Sequence, residues 1–184
     1  MSKITESALE RSFTDLLKEK PVNKIPVSDI TNRCGVSRMT FYYHYDDIYD
    51  LLRQILTKGL AEICESCDPE APWGGVTKKV YKYIKSNGNM FTNIYNSLGR
   101  EQLEESFYSY IKPLMTDFSD ECMKGLEIDN VNKKSIVDFF INGVVANALD
   151  WIKSGMPGDY EARVDRVIVI LETGIRAAAE QLAK

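Results

Sequence analysis

Apolar residues recur at three- and four-residue intervals along nearly the whole chain, and alternating apolar/polar runs are scarce. The first pattern lines one face of a helix and the second one face of a strand, so the chain reads as helical. In the opening segment Ala8, Leu9, Phe13, Leu16 and Leu17 share a face, with charges opposite. Thr5 or Ser7 can cap its start, and Ser7 with Glu10 has capping-box spacing. Pro21 and Pro26 bracket a connector, because proline removes a backbone donor and disfavours helix in the residue before it. A short helix is predicted from about Val27 to Cys34, ending at Gly35. A second follows Ser37, whose hydroxyl can accept a backbone N–H at the helix start. Asp46 and Asp47 then favour the N-terminus of an amphipathic helix bearing Leu51, Leu52, Ile55, Leu56 and Ile63.

Beyond Cys67 the stretch 68–72 (Asp-Pro-Glu-Ala-Pro) is the clearest linker. Helices are predicted after it at roughly 74–86, 89–98, 100–126, 131–154 and 160–182. Val167–Leu171 alone resembles a buried strand, but Val164, Ile175 and Ala178 continue a helical face through it. The expected fold is all-α, with an N-terminal three-helix domain over 1–47 and a C-terminal helical domain over 48–184.

Composition narrows the function classes. Of 184 residues, 44% are hydrophobic and 27% charged, the ordinary balance of a globular protein rather than a disordered one. The longest apolar runs fall far short of the ~20 residues of a membrane helix, and the N-terminus has no apolar signal core. A cytoplasmic protein with no membrane partner is expected. The net charge is −4, divided as +2 over residues 1–45 and −6 over the rest, the sense expected for a DNA-binding head on an acidic body. Cys34 and Cys122 are isolated; Cys64 and Cys67 form a C-x-x-C pair, but His44 is the only histidine, too few ligands for a closed zinc site. No cofactor or metal is expected. Nucleophile-elbow, phosphate-loop and H-E-x-x-H patterns are missing from the sequence, so an enzyme is not expected.

Residues 27–45 carry the chemistry. Two short helices around a glycine-containing turn have the arrangement of a helix-turn-helix. Val27, Ile30, Val36 and Phe41 can form its small core, leaving Arg38, Met39, Thr40, Tyr42 and Tyr43 to face a major groove. The run Gly35-Val-Ser-Arg-Met-Thr-Phe-Tyr-Tyr-His-Tyr45, followed by Leu51-Leu52, resembles the DNA-binding signature of the TetR family. The final helices, with Phe139-Phe140-Ile-Asn-Gly143 and Trp151, more faintly resemble the branch that regulates dihydroxyacetone kinase.

The resemblance implies phosphate contacts from Thr40, Tyr42 and His44, and base or near-base contacts from Ser37, Arg38, Met39 and Tyr43. Arg38 is the candidate for direct readout, since a guanidinium can bond guanine O6 and N7 together. Ile48 stands where the family has a lysine, which removes one expected phosphate contact unless Lys24 or Arg53 supplies it. The implied function is a regulator, expected to be a repressor, that binds double-stranded pseudopalindromic operator DNA as a homodimer and responds to a small-molecule effector.

The predicted helices 131–154 and 160–182 are the expected dimer surface, through Ile136, Phe139, Phe140, Gly143, Val144, Asn147 and Trp151 on the first and Val164, Val167, Ile168, Leu171, Ile175 and Ala178 on the second. Tyr81, Phe91, Tyr95, Phe107, Tyr110, Met115 and Phe140 are candidate pocket residues. The competing reading is a helical interaction module without specific DNA binding, favoured by the acidic total and by Ile48.

Overall fold

The computed structural model describes residues 3–65, 73–98 and 100–183, with the side chains at 64, 65, 102, 106 and 110 outside that description. Cys67 and the 68–72 linker therefore fall outside it, as do the side chains of Cys64 and Tyr110. Among the described residues every regular element is helical. The N-terminal part holds α1 (Lys3–Glu19), a 3₁₀ turn (Val22–Lys24), α2 (Val27–Cys34) and α3 (Arg38–His44). The body holds α4 (Ile48–Glu65), α5 (Trp73–Ser86), α6 (Gly88–Leu98), α7 (Arg100–Cys122), α8 (Asn130–Lys153) and α9 (Tyr160–Leu182).

The head follows from local chemistry. α1 buries Leu9, Phe13, Leu16 and Leu17, and the buried Ser12 donates from Oγ to the Ile30 carbonyl at 2.8 Å, tying α1 to α2. The helix begins at Lys3, ahead of the expected caps, so Ser7 and Glu10 lie inside it; Glu10 instead accepts from Lys58 Nζ at 2.8 Å. α2 stops at Gly35, whose φ of +71° is left-handed, and the Val36 amide turns back to the Thr31 carbonyl at 3.0 Å. A Cβ on Gly35 would meet nothing within 4 Å, so backbone conformation rather than space selects glycine there. Ser37 caps α3 as expected, its Oγ accepting from the Thr40 amide at 3.1 Å. Asp47 caps α4, with Oδ1 accepting from the Tyr49 and Asp50 amides at 2.8 Å each.

Pro21 creates two orphan groups at the joint between head and body. The Leu17 carbonyl would ordinarily accept from the amide of residue 21, which proline lacks. Asn93 of α6 supplies the donor, Nδ2 to Leu17 O at 2.9 Å. On the other side of the proline, the buried Val22 amide donates to Ser97 Oγ at 2.8 Å, and Ser97 Oγ donates onward to the Asn93 carbonyl at 2.6 Å. One turn of α6 thus satisfies both groups.

In the body, α8 buries Ile136, Val137, Ile141, Val144, Val145, Ala148, Leu149, Trp151 and Ile152, the signature of a helix sunk in a core. By length and composition it could also cross a membrane, but half of its apolar window is covered within the chain. Tyr81 of α5 stacks on Trp151 at 5.0 Å, and Trp151 Nε1 donates to the Pro157 carbonyl at 3.1 Å. α7 ends at Cys122, short of the predicted 126, because the chain turns towards a left-handed Gly125 (φ +81°). α4 joins the two parts: Leu51 and Leu52 enter the same core as Phe13 and Phe41, and later residues of the helix line a cavity in the body.

Candidate nucleic-acid interface

α3 has seven residues and buries one side chain, Phe41, which packs edge-on to Tyr42 (5.4 Å between ring centres) and against Tyr45 (5.6 Å). Full burial of one phenylalanine contributes roughly 1.5–3 kcal/mol, enough to seat a short helix against α1 and α2. With Phe41 inward, Arg38, Met39, Tyr42 and Tyr43 are brought together on the outward face, Met39 at 80% and Tyr43 at 67% exposure. This surface offers a forked cation, a thioether and two phenols on a ridge one helix wide, suited to a major groove. Ser37 is exposed at its N-terminal edge and Thr40 is half-buried; their hydroxyls lie 2.9 Å apart, bonded to each other.

His44 is not brought to that face. Its side chain is 8% exposed, with Nδ1 3.6 Å from Glu6 Oε1 of α1 and Nε2 buried without a hydrogen-bond partner among the described residues. Tyr45 is core, and burial, with Glu10, Glu6 and Asp50 nearby, pushes its hydroxyl well above the usual tyrosine range. Ile48 packs half-buried against the core, while Lys24 and Arg53 are exposed. Several head cations are already engaged: Lys20 with Asp29 at 2.5 Å, Arg33 with Glu19 at 3.0 Å and Lys18 with Asp15 at 3.0 Å. Arg38 has no ion pair among the described residues.

The exposed apolar face of α8 and α9 differs from the one periodicity predicts. Ile136, Val144, Trp151, Val164, Leu171 and Ile175 are buried within the chain, so they are not available to a partner. Phe139 is 73% exposed, and Val131, Val169 and Ile170 are exposed with it. Gly143 and Asn147, expected on this surface, are exposed, and a Cβ on Gly143 would meet nothing within 4 Å.

A cavity of about 280 Å³ lies between α4, α5, α7 and α8. Tyr81 and Phe107 of the expected pocket set line it, whereas Phe91 and Met115 are core residues away from its wall. Most of the lining was missed by reading aromatics alone. The available signal was the stripe Trp73, Val76, Thr77, Val80, Tyr81 and Ile84, helical spacing along a single face of α5.

Comparison with known proteins agrees with these features. A family model described as "Transcriptional regulator C-terminal region" matches residues 72–173. Another, "Bacterial regulatory proteins, tetR family", matches residues 14–55. The uncharacterized HTH-type transcriptional regulator YxbF of Bacillus subtilis (strain 168) is 39% identical over 62 residues, 33% of this chain and 16% of that protein. The HTH-type dhaKLM operon transcriptional activator DhaS of Lactococcus lactis subsp. lactis (strain IL1403) is 26% identical over 92 residues, 50% of this chain and 49% of its own. The matches thus span half or less of these curated relatives.

Among solved structures, the dihydroxyacetone kinase operon activator DhaS superposes with a TM-score of 0.78 at 20% identity, covering 96% of this chain and 98% of that one. The fatty acid degradation regulator FadR from Bacillus halodurans superposes with a TM-score of 0.62 at 14% identity, covering 93% and 96%. These likenesses establish a shared fold. With a helix-turn-helix head matched by one family model and more than half the chain by the other, the protein belongs to the TetR family of transcriptional regulators.

Proposed function

We propose that the protein binds a pseudopalindromic operator as a homodimer, in the cytoplasm, with its DNA affinity set by a small molecule held in the body. The head is taken as residues 1–47 and the body as 48–184. The observation that carries this reading is the outward set Arg38, Met39, Tyr42 and Tyr43 on a helix whose buried anchor is Phe41. Arg38 is the base reader, Tyr42 and Thr40 contact phosphate, and Ser37, Met39 and Tyr43 border the bases. His44 acts at one remove, fixing the end of α3 against Glu6 of α1. Phosphate contacts set register, and groove-edge contacts set sequence.

One short helix reads few base pairs, so two heads on a symmetric site are needed for specificity. The exposed Phe139, Val131, Val169 and Ile170 supply a patch that a second copy can cover by two-fold symmetry. Cavity and head share α4, and α6 holds the Pro21 joint, so a ligand that prefers one body arrangement shifts the population of DNA-competent dimers. Whether bound protein represses or activates depends on where its operator lies relative to a promoter; the curated relative DhaS is an activator.

The test is capture of sheared genomic DNA by the purified protein over excess nonspecific competitor, followed by sequencing. The reading expects a few enriched sites sharing a two-fold symmetric motif, with affinity falling log-linearly with salt as phosphate counterions are released. Retention without a motif at low salt would instead support an interaction module, the reading that the engaged Lys20 and Arg33 and the half-buried Ile48 favour.

A further inference from the structure

We propose that the cavity between α4, α5, α7 and α8 takes an uncharged, predominantly apolar small molecule, and excludes carboxylates, phosphates and small polyols. This rests on the effector reading above and names the chemistry of its ligand.

The wall decides the class. None of its fourteen lining residues carries a charge, and apart from three hydroxyls and the Trp73 indole N–H the side chains are aliphatic or aromatic. Two of those hydroxyls are turned back onto their own helices: Thr57 Oγ1 donates to the Arg53 carbonyl at 2.7 Å and Thr77 Oγ1 to the Trp73 carbonyl at 3.0 Å. The third, on Tyr81, is buried, with the Arg163 guanidinium beside it and outside the wall. Arg163, behind Tyr81, is bonded to the Asn147 carbonyl and Oδ1 at 3.1 and 2.8 Å. An anion entering this space would therefore lose its water and find no cation in the wall, and a polyol would leave most of its hydroxyls unbonded. Either loss outweighs the dispersion energy available from the apolar wall.

Volume points the same way. At about 280 Å³ the space is nearly twice the roughly 150 Å³ of an engineered apolar cavity that stays dry and binds benzene. Voids in packed cores are costly in proportion to their volume, so a protein that keeps one this size is stabilised when an apolar molecule fills it. Thr57 and Ala61 are exposed at its α4 edge, which gives a route in from solvent. Dihydroxyacetone, whose kinase operon DhaS activates, carries three oxygens on three carbons and does not suit this wall.

The experiment titrates the full chain by calorimetry and tryptophan fluorescence, Trp73 lying in the wall. The probes are 1-decanol, decanoate and dihydroxyacetone at pH 8. The expected result is one decanol per chain, decanoate at least ~100-fold weaker because its charge stays unpaired, and no dihydroxyacetone binding. Ala148→Leu intrudes on the cavity and weakens decanol binding. Should that variant misfold, Thr57→Lys at the exposed rim offers a second readout by strengthening decanoate about tenfold through a new ion pair.

Equal affinity for decanol and decanoate, binding of dihydroxyacetone, or no decanol binding would overturn the inference. Decanol affinity unchanged in folded Ala148→Leu would do the same. Operator affinity measured with and without saturating decanol separates the two readings. Ligand binding that leaves DNA affinity unchanged refutes effector control while the ligand class stands.

Discussion

Ser97→Ala is a small change with a large expected cost, because it strands a buried amide created by Pro21. Val22 is fully buried, and its N–H has Ser97 Oγ as acceptor at 2.8 Å. Removing that oxygen costs about 1–3 kcal/mol, the penalty for an unsatisfied buried donor. Asn93→Ala removes the donor to Leu17 O. Under-satisfied carbonyls are tolerated better than orphan amides, so its cost falls near ~1 kcal/mol. Ser97 Oγ also donates to the Asn93 backbone carbonyl at 2.6 Å, which Asn93→Ala leaves in place, but the two side chains hold the same joint one turn apart, so the double variant should cost less than the sum. Urea unfolding followed by circular dichroism, at one protein concentration, measures all three. The sharper check uses Pro21→Ala, which returns an amide to residue 21 able to bond Leu17. In that background Asn93→Ala should lose most of its cost. A Ser97→Ala penalty below about 0.5 kcal/mol, the range of ordinary surface changes, would refute the reasoning. So would an Asn93→Ala cost indifferent to residue 21.

Three further outcomes are expected. Arg38→Ala should relax preference at one position in each half-site by ~1–3 kcal/mol, whereas Tyr42→Phe should weaken all sequences alike; binding-site selection with each variant separates base from phosphate contacts. Phe139→Glu places a charge in the exposed α8–α9 patch and should shift the protein from dimer to monomer in sedimentation, with a far-UV spectrum unchanged; a persistent dimer would remove that patch from the interface. Tyr108 Oη donates to Asp138 at 2.9 Å, and Lys134, then Tyr108, holds the Asp138 carboxyl below its usual range. A lowered folded-state pKa gives stability that is present above the unfolded value near ~3.9 and lost as pH falls through the folded one. Tyr108→Phe should therefore cost roughly 0.5–1.5 kcal/mol at neutral pH, and the deficit should shrink in acid. Unfolding curves in which it grows on acidification would contradict this.

The head was legible from sequence because its determinants are local. Ser37 and Thr40 stand three residues apart, and Gly35 ends its helix by its own backbone. The Pro21 joint was not legible. Asn93 and Ser97 look like solvated polar residues until the fold brings them to a carbonyl and an amide 76 and 75 positions away. The outward residues of α8 were only partly legible, for a different reason. α8 is apolar on most of its circumference, so periodicity identifies no single outward face, and tertiary packing claims Ile136, Val144 and Trp151. His44 was placed by motif resemblance on the DNA side, yet its neighbour Phe41 sets the helix rotation that turns it towards Glu6. The cavity escaped because a void is a property of what neighbouring helices fail to fill, and no single residue announces it.

The economy of α3 has an evolutionary consequence. Phe41, with His44 turned towards Glu6, secures the helix, while residues 38, 39, 42 and 43 face solvent. If those positions read DNA as proposed, exchanges there alter what is read without disturbing what holds the fold. A duplicated copy can thus drift towards a new operator through viable intermediates, and a designer can vary the same four positions as a library on an unchanged scaffold.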